Sequence, residues 1–249
     1  MNHQLKRRRV PVHGVLLLDK PAGMSSTQAL AKAKWLLNAE KAGHTGTLDP
    51  FATGLLPLCF GEATKYASDL LDADKSYEAT VHLGVTTSTG DTEGEVLEIR
   101  EVHVNREQVD RVLSHFRGKI SQTPPMYSAL KVDGKPLYAY AREGITLERK
   151  AREILIHDIE LLEFDFVTLK IRVRCSKGTY VRVLGEDMAK LWVAVRTSHN
   201  SDALVLLTCQ WWIQFLYRCW EKIASRVPPC YDPSIASLQC CQQCSLIKI

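Results

Sequence analysis

The sequence predicts an α+β fold: a mixed, largely antiparallel sheet flanked by helices and loops. Three observations lead there. Stretches with two-residue alternation, such as 75–84 with Tyr77, Ala79, Val81 and Leu83 on one face, are interleaved with stretches of helical period. The order of these stretches shows no regular strand–helix–strand repeat, which a parallel sheet would require. A tight reversal at Val132-Asp133-Gly134-Lys135 joins two extended segments, as antiparallel neighbours demand.

Taken in order, "HGVLLLD" at 13–19 reads as a buried strand that ends in the turn Lys20-Pro21-Ala22-Gly23. Ser25 or Ser26 can cap a helix over 27–37, with Ala29, Leu30, Ala33, Leu36 and Leu37 on one face. A second short helix is expected at 63–71, a strand at 75–84, a polar loop at 86–94 and a helix at 105–115. Beyond the reversal at Asp133-Gly134 comes a helix through Tyr138 and Ala141. Strands at 154–164 and 166–175 pair around Asp165, and 178–191 reads as a helix.

The 249 residues are 45% hydrophobic and 24% charged, ordinary values for a chain that buries a full core. A formal charge of +4 permits a polyanionic partner without demanding one. The run Lys6-Arg7-Arg8-Arg9 would suit phosphates, although such a terminal run is more often a solvated tail. "VLLL" is too short for a secretory signal, and the fifteen-residue stretch "ALVLLTCQWWIQFLY" is below spanning length, so a cytoplasmic location and no membrane association are expected.

Composition changes near Leu191. Cys209, Cys219, Cys230, Cys240, Cys241 and Cys244 all follow it, as do Trp192, Trp211, Trp212 and Trp220, while charge thins. Cys241 and Cys244 have the spacing of half a zinc site, but no second pair accompanies them, and no metal site is expected.

The chemistry concentrates in "GHTGTLDPFATGLLPLCFGEATK". On pattern alone Asp49-Pro50 is a helix start, with Asp at the N-cap and Pro at the first helical position. A phosphate-binding loop is excluded, because no lysine follows a suitably spaced glycine. A nucleophilic role for Asp49, beside Gly and Thr residues that let a ligand approach the backbone, is equally compatible.

That segment, with "GVLLLDKPAGMSS", "KSYEATVHLGVTTSTGDTEG", "TPPMYSALKVDGKPLYAYAREG" and "CSKGTYVRVLGEDMAKL", closely resembles the bacterial tRNA pseudouridine-55 synthases, the TruB family. The likeness runs in unbroken order from about His13 to Leu191. It implies the pseudouridine synthase fold and the isomerisation of uridine to pseudouridine at position 55 in the T arm of tRNA. No cofactor, metal or obligate protein partner is implied, and a monomer is expected.

By this resemblance Asp49 matches the nucleophile, which attacks either the ribose C1′ or the uracil C6. Tyr77 aligns with the active-site tyrosine that packs on the target base and is a candidate for moving the proton; on pattern alone it is a half-buried strand aromatic. Tyr180 aligns with a second tyrosine lining the nucleoside pocket, and otherwise reads as a helix-start aromatic. Arg182 aligns with the arginine that pairs with the aspartate, although on pattern alone it is a surface helix residue. His44 aligns with the histidine that enters the RNA as the target nucleotide leaves its stack, an extrusion costing a few kcal/mol.

The likeness stops at Leu191. Family members continue with a glycine-rich turn, an Ala-His-Leu step and a Leu-Arg-Arg-Thr strand that completes the sheet; here stands "WVAVRTSHNSDALVLLTCQWWIQFLYRCW". The expected domains are therefore a C-terminally incomplete catalytic domain at 13–191 and an aberrant Cys- and Trp-rich tail at 192–249, read as a shifted reading frame. A missing internal strand would leave unpaired backbone groups, which 204–207 and 211–217 could only partly cover. Two competing readings are an RNA chaperone that opens the tRNA elbow without chemistry and an inactive frameshift product.

Overall fold

The structure, a computed structural model, describes residues 8–194, 205–211 and 247–248. Lys6 and Arg7, the 212–217 stretch and the Cys241/Cys244 pair lie outside the described residues. In chain order the elements are β1 (Gly14–Lys20), α1 (Ser26–Leu36), β2 (Ala42–His44), β3 (Gly54–Phe60), a 3-10 helix (Gly61–Tyr66), α2 (Ala67–Asp72), β4 (Lys75–Leu83), β5 (Val85–Thr87) and β6 (Val96–Ile99). There follow α3 (Arg106–His115), β7 (Gly118–Gln122), β8 (Lys131–Val132), β9 (Lys135–Pro136), α4 (Leu137–Arg142), β10 (Arg152–Phe164), β11 (Thr168–Cys175), α5 (Val181–Ala194), β12 (Val205–Trp211) and β13 (Ile247–Lys248). The chain divides into two units, 1–73 with 213–249, and 74–212.

In the first unit the described strands are ordered β13-β1-β3-β2. β3 is the surprise. All seven of its residues are buried, and it pairs antiparallel with β1 from Gly14–Phe60 to Lys20–Gly54. Pro57 is tolerated there for a geometric reason. Its carbonyl accepts from the Thr45 amide at 3.1 Å, so its missing N–H falls on that same side, past the end of β2 at His44, and not in the β1 ladder.

α1 begins as the serines suggested, with the two dividing the work. Ser25 is the N-cap of a capping box with Gln28, while Ser26 is buried and turns its hydroxyl elsewhere. Ser26, Ala29 and Ala33 form the buried face. Leu36, expected on that face, is 47% exposed instead. The anticipated helix at 63–71 is split into the 3-10 segment and α2.

The second unit carries a sheet ordered β12-β4-β11-β10-β7, antiparallel in every pairing. Its inner face is the core. Leu169, Ile171, Val173 and Cys175 alternate along β11, all fully buried, beside Ala79, Val81 and Leu83 of β4. β10 keeps its apolar residues inward through a register shift: Ile154 and Ile156 are followed by Ile159, three positions on, because a bulge falls between Ile156 and Asp158. Val109, Val112 and Leu113 of α3, with Leu184, Met188 and Trp192 of α5, pack on this face. The other face carries charge, with Arg172 of β11 paired to Glu78 at 2.7 Å and Glu160 at 3.1 Å.

Part of the stretch expected to cover the open sheet does pair with it. β12 pairs with β4 residue for residue, from Val205–Leu83 to Trp211–Tyr77. The two strands alternate compatibly: Leu207, Cys209 and Trp211 stand opposite Val81, Ala79 and Tyr77, while Thr208 and Gln210 stand opposite Thr80 and Glu78. β4 is thereby paired on both sides, with β11 and β12.

Because Ile171 is central and fully buried, Ile171→Ala should cost about 2–5 kcal/mol through lost transfer energy and the cavity left behind. Urea denaturation of the full chain reads this as a lowered midpoint at unchanged slope.

Candidate active site

Asp49 does not start a helix. It opens a tight turn, Asp49-Pro50-Phe51-Ala52, closed by the Ala52 amide on the Asp49 carbonyl at 3.1 Å. Asp at the first position and Pro at the second suit such a turn as well as they suit a helix start. The strand that follows, β3, decides between the two.

This turn is held from outside. Lys20, at the end of β1, is wholly buried, and its ammonium donates to the carbonyls of Pro21 at 2.9 Å, Met24 at 2.7 Å and Pro50 at 3.2 Å. Three donors meet three acceptors, which is what makes burial of the charge tolerable. The Gly23 amide adds a second bond to the Pro50 carbonyl at 2.9 Å, with Gly23 at φ +77, a conformation that favours glycine. On the other side of Asp49, Ser26 accepts from the Leu48 amide at 2.8 Å and donates to the Leu48 carbonyl at 3.3 Å. Both neighbours of the half-buried Asp49 are thus anchored to the β1–α1 connection.

His44 closes β2, opposite Leu58 of β3. Burial pushes its imidazole below the ordinary histidine value, opposed by a hydrogen bond with the Gly46 backbone. Thr45, next to it, is buried and doubly bonded to the Pro57 carbonyl through its amide and hydroxyl. His44 and Asp49 both belong to the first unit.

Tyr77, Tyr180 and Arg182 belong to the second. Tyr77 is half-buried on β4, flanked in register by Val173 and Trp211, so its strand-aromatic reading holds. Tyr180 lies one residue before α5. Its backbone is gripped at both ends by the buried Gln122, whose Oε1 accepts from the Tyr180 amide at 2.8 Å and whose Nε2 donates to its carbonyl at 3.1 Å.

Arg182 corrects the surface reading, being only 6% exposed. Its Nη1 pairs with Asp91 at 3.2 Å and donates to the Thr89 carbonyl at 2.9 Å, and its Nη2 donates to the Tyr127 carbonyl at 3.2 Å. Asp91 is itself buried and accepts from the Thr89 hydroxyl at 2.6 Å and the Glu93 amide at 3.0 Å. Gly90, at φ +72, adopts a conformation that favours glycine, and a Cβ there would displace the Glu186 carboxyl, whose Oε1 would lie 2.3 Å away. The first two residues of the expected loop belong to β5, and the rest, 88–94, is a clamp on the arginine, a role that sequence reasoning missed. Lys20, Asp91, Gln122 and Glu186 were missed with it. The one usable signal was the carboxylate of Asp91 set between Gly90 and hydroxyl residues; the others gave none.

Cys59 and Cys175 are poor rivals as nucleophiles, because burial pushes both thiols up to about 11. Among the described residues no group of three His, Cys, Asp or Glu could hold a metal ion, and no helix is long and apolar enough to cross a membrane.

Two outcomes test this geometry. Lys20→Met keeps the length but removes all three donors, leaving buried carbonyls short of partners, and should lower stability by about 2 kcal/mol in urea denaturation. Glu186 is held above its ordinary value of 4.5 chiefly by burial, with Lys190 and Arg182 opposing and Asp187 and Asp91 assisting. A carboxyl whose pKa is raised on folding weakens the folded state while ionised and ceases to do so once protonated in both states. Glu186→Gln should therefore be more stable than the parent at pH 7, with the advantage shrinking as pH falls toward and below 4.5.

Comparison with known proteins identifies the family. The TruB family pseudouridylate synthase (N terminal domain) matches residues 34–181. A tRNA pseudouridine synthase B of Cupriavidus metallidurans is 62% identical over 184 residues, covering 73% of this chain and 59% of the relative. One of Pseudomonas paraeruginosa is 59% identical over 188 residues, covering 76% and 62%. The chain thus spans about three-fifths of the length of these relatives. Among solved structures, the Cbf5-Nop10-Gar1 complex contains a chain 31% identical at TM-score 0.58, with 79% of this chain and 48% of that chain covered. An archaeal box H/ACA sRNP Nop10-Cbf5 complex gives 28% identity at TM-score 0.53, covering 79% and 47%. With its α+β architecture and largely antiparallel sheets, this chain belongs to the TruB family of pseudouridylate synthases.

Proposed function

We propose that the chain isomerises uridine to pseudouridine at position 55 in the T arm of tRNA, with Asp49 as nucleophile. The observation that carries this reading is the turn at Asp49, anchored on both sides by Lys20, Gly23 and Ser26 so that one half-buried carboxylate is held in place. Preorganisation of this kind is what a nucleophile needs, since displacement of about 1 Å from the reacting atom costs on the order of a hundredfold in rate.

In the proposed reaction the glycosidic C1′–N1 bond breaks and Asp49 forms a covalent bond either to C1′ or to C6. The freed uracil turns, C5 bonds to C1′, the proton on C5 leaves and N1 gains a proton. The bond to Asp49 breaks again, either as C5 displaces the carboxylate from C1′ or as the carboxylate is eliminated from C6 with loss of the C5 proton. Atoms and electrons then balance with no redox partner and with Asp49 restored, and this reading includes no metal or cofactor. Tyr77 packs on the base and is the candidate for the C5 proton. Tyr180, fixed through its backbone by Gln122, lines the pocket. Arg182, already oriented by Asp91, supplies the cationic partner of Asp49, favouring its ionised form. His44 takes the place that the flipped nucleotide leaves; in the free chain burial holds its pKa below the ordinary histidine value. A cytoplasmic, monomeric enzyme needing no protein partner completes this reading, with 13–191 as the catalytic domain and 192–249 as a segment foreign to the family.

Asp49→Asn tests it against the chaperone reading. Pseudouridine formation on a T-arm stem-loop should fall at least a thousandfold, while affinity for the RNA changes less than threefold. Turnover that survives the substitution would refute the nucleophile, and a parent chain that binds the stem-loop but never converts it would favour the chaperone or the inactive product.

A further inference from the structure

The run Lys6-Arg7-Arg8-Arg9 is absorbed by nothing above, yet its described end is not a loose tail. The Arg8 carbonyl accepts a hydrogen bond from the Asn38 side chain just past α1. The Val10 amide donates to the Asn38 carbonyl at 2.8 Å, the Glu40 amide donates to the Val10 carbonyl at 3.1 Å, and Val10 forms a parallel bridge with Ala39. The basic segment is therefore seated beside the C-terminal end of α1, where positive charge also suits the helix dipole.

The same end of α1 presents an outward face of unusual composition. Lys32 and Trp35 lie at helical spacing on it, away from the buried Ser26, while Leu36, at the helix end, is exposed on the side of Ala29 and Ala33. Trp35 is 66% exposed, Leu36 47% and Val10 43%. Leu36 is one of the residues whose periodicity assigned it to the interior. Arg8, Arg9, Lys32, Lys34 and Lys41 are the cations of the segments that carry these apolar groups, against Glu40 as the one carboxylate within 8–10 and 28–41. Five cations on the segments that carry a protruding indole match a polyanion carrying aromatic rings better than they match a second copy of this surface, which would oppose like charges.

We propose that Arg8, Arg9, Lys32 and Trp35 form an accessory RNA-binding surface on the first unit, contacting phosphates and one base or sugar that flank the reacting nucleotide. This rests on the functional reading above for the identity of the RNA. The placement follows from α1 itself. Ser26 holds Leu48 beside Asp49, and Trp35 lies nine residues further along the helix, roughly 14 Å away at 1.5 Å per residue. That span exceeds one nucleotide, so the surface touches flanking RNA and not the reacting base.

The test compares the full chain with an Arg8→Gln/Arg9→Gln/Lys32→Gln variant, with Trp35→Ala, and with Arg8→Lys/Arg9→Lys as the charge-keeping control. Each is titrated with an unmodified tRNA transcript across a salt series, with circular dichroism and urea midpoints checking the fold. The triple variant should bind about tenfold more weakly near 0.1 M salt and lower the log–log salt slope by about two to three. Trp35→Ala should lose about tenfold in affinity with its slope unchanged. The control should bind like the parent, and conversion at saturating RNA should be unaltered throughout. Should the triple variant misfold, Lys32→Gln alone reads the slope. Parental affinity and slope in the variants would overturn the proposal, as would a change confined to self-association, which would assign the surface to a second copy. Binding is measured independently of conversion, so a chain that binds through this surface but does not isomerise uridine sinks the functional reading and leaves this one standing.

Discussion

The first unit depends on one buried ammonium. Lys20 ends β1 where the strand must hand the chain over to α1, and its three bonds join that connection to the Pro50 carbonyl, one residue past Asp49. A cation at zero exposure is tolerable only when its donors are all met, and here each meets a backbone carbonyl. The effect is to tie a turn that has no regular structure of its own to the most regular part of the unit, the β1–β3 pairing. Ser26 serves the same turn from the first residue of α1, having left the capping of that helix to Ser25.

The second unit solves a similar problem with opposite charges. Arg182 sits on the buried side of α5, and its orientation is set by a loop that wraps back onto it, through Thr89, Asp91 and the carbonyl of Tyr127. A buried pair of this kind contributes less to stability than to geometry, since desolvation offsets much of its attraction. Its value is a guanidinium that points one way. Gly90 permits the loop to come so close, and Glu186, one helical turn beyond Arg182, fills the space that a side chain there would need.

How far this was legible in the sequence varies with the range of the interactions. β4, β11 and α3 follow from local periodicity, and their alternating or helical burial agrees with it. The Asp49-Pro50 step misled because a helix start and a tight turn prefer the same two residues at the same two places; only the pairing of β3 with a strand some forty residues earlier separates them. Arg182 on pattern is an exposed helical cation, and nothing local reveals that a loop far upstream buries it. Family likeness supplied the candidates Asp49, Tyr77, Tyr180, Arg182 and His44, but not the residues that hold them: Lys20, Ser26 in its second role, Gln122 and Asp91 act through contacts across long sequence separations. Beyond Leu191 the sequence offered little to read. A strand can be accepted on backbone pairing and alternation alone, and Val205–Trp211 meets both requirements against β4.

The most direct test is a crystal structure of the chain bound to a T-arm stem-loop, reading the distance from the Asp49 carboxylate to the target nucleoside. The account predicts a nucleotide out of its stack, with a carboxylate oxygen about 3–3.5 Å from C1′ or C6. A target uridine still stacked in the loop, or one whose nearest carboxylate is Asp91 or Glu186, would contradict it.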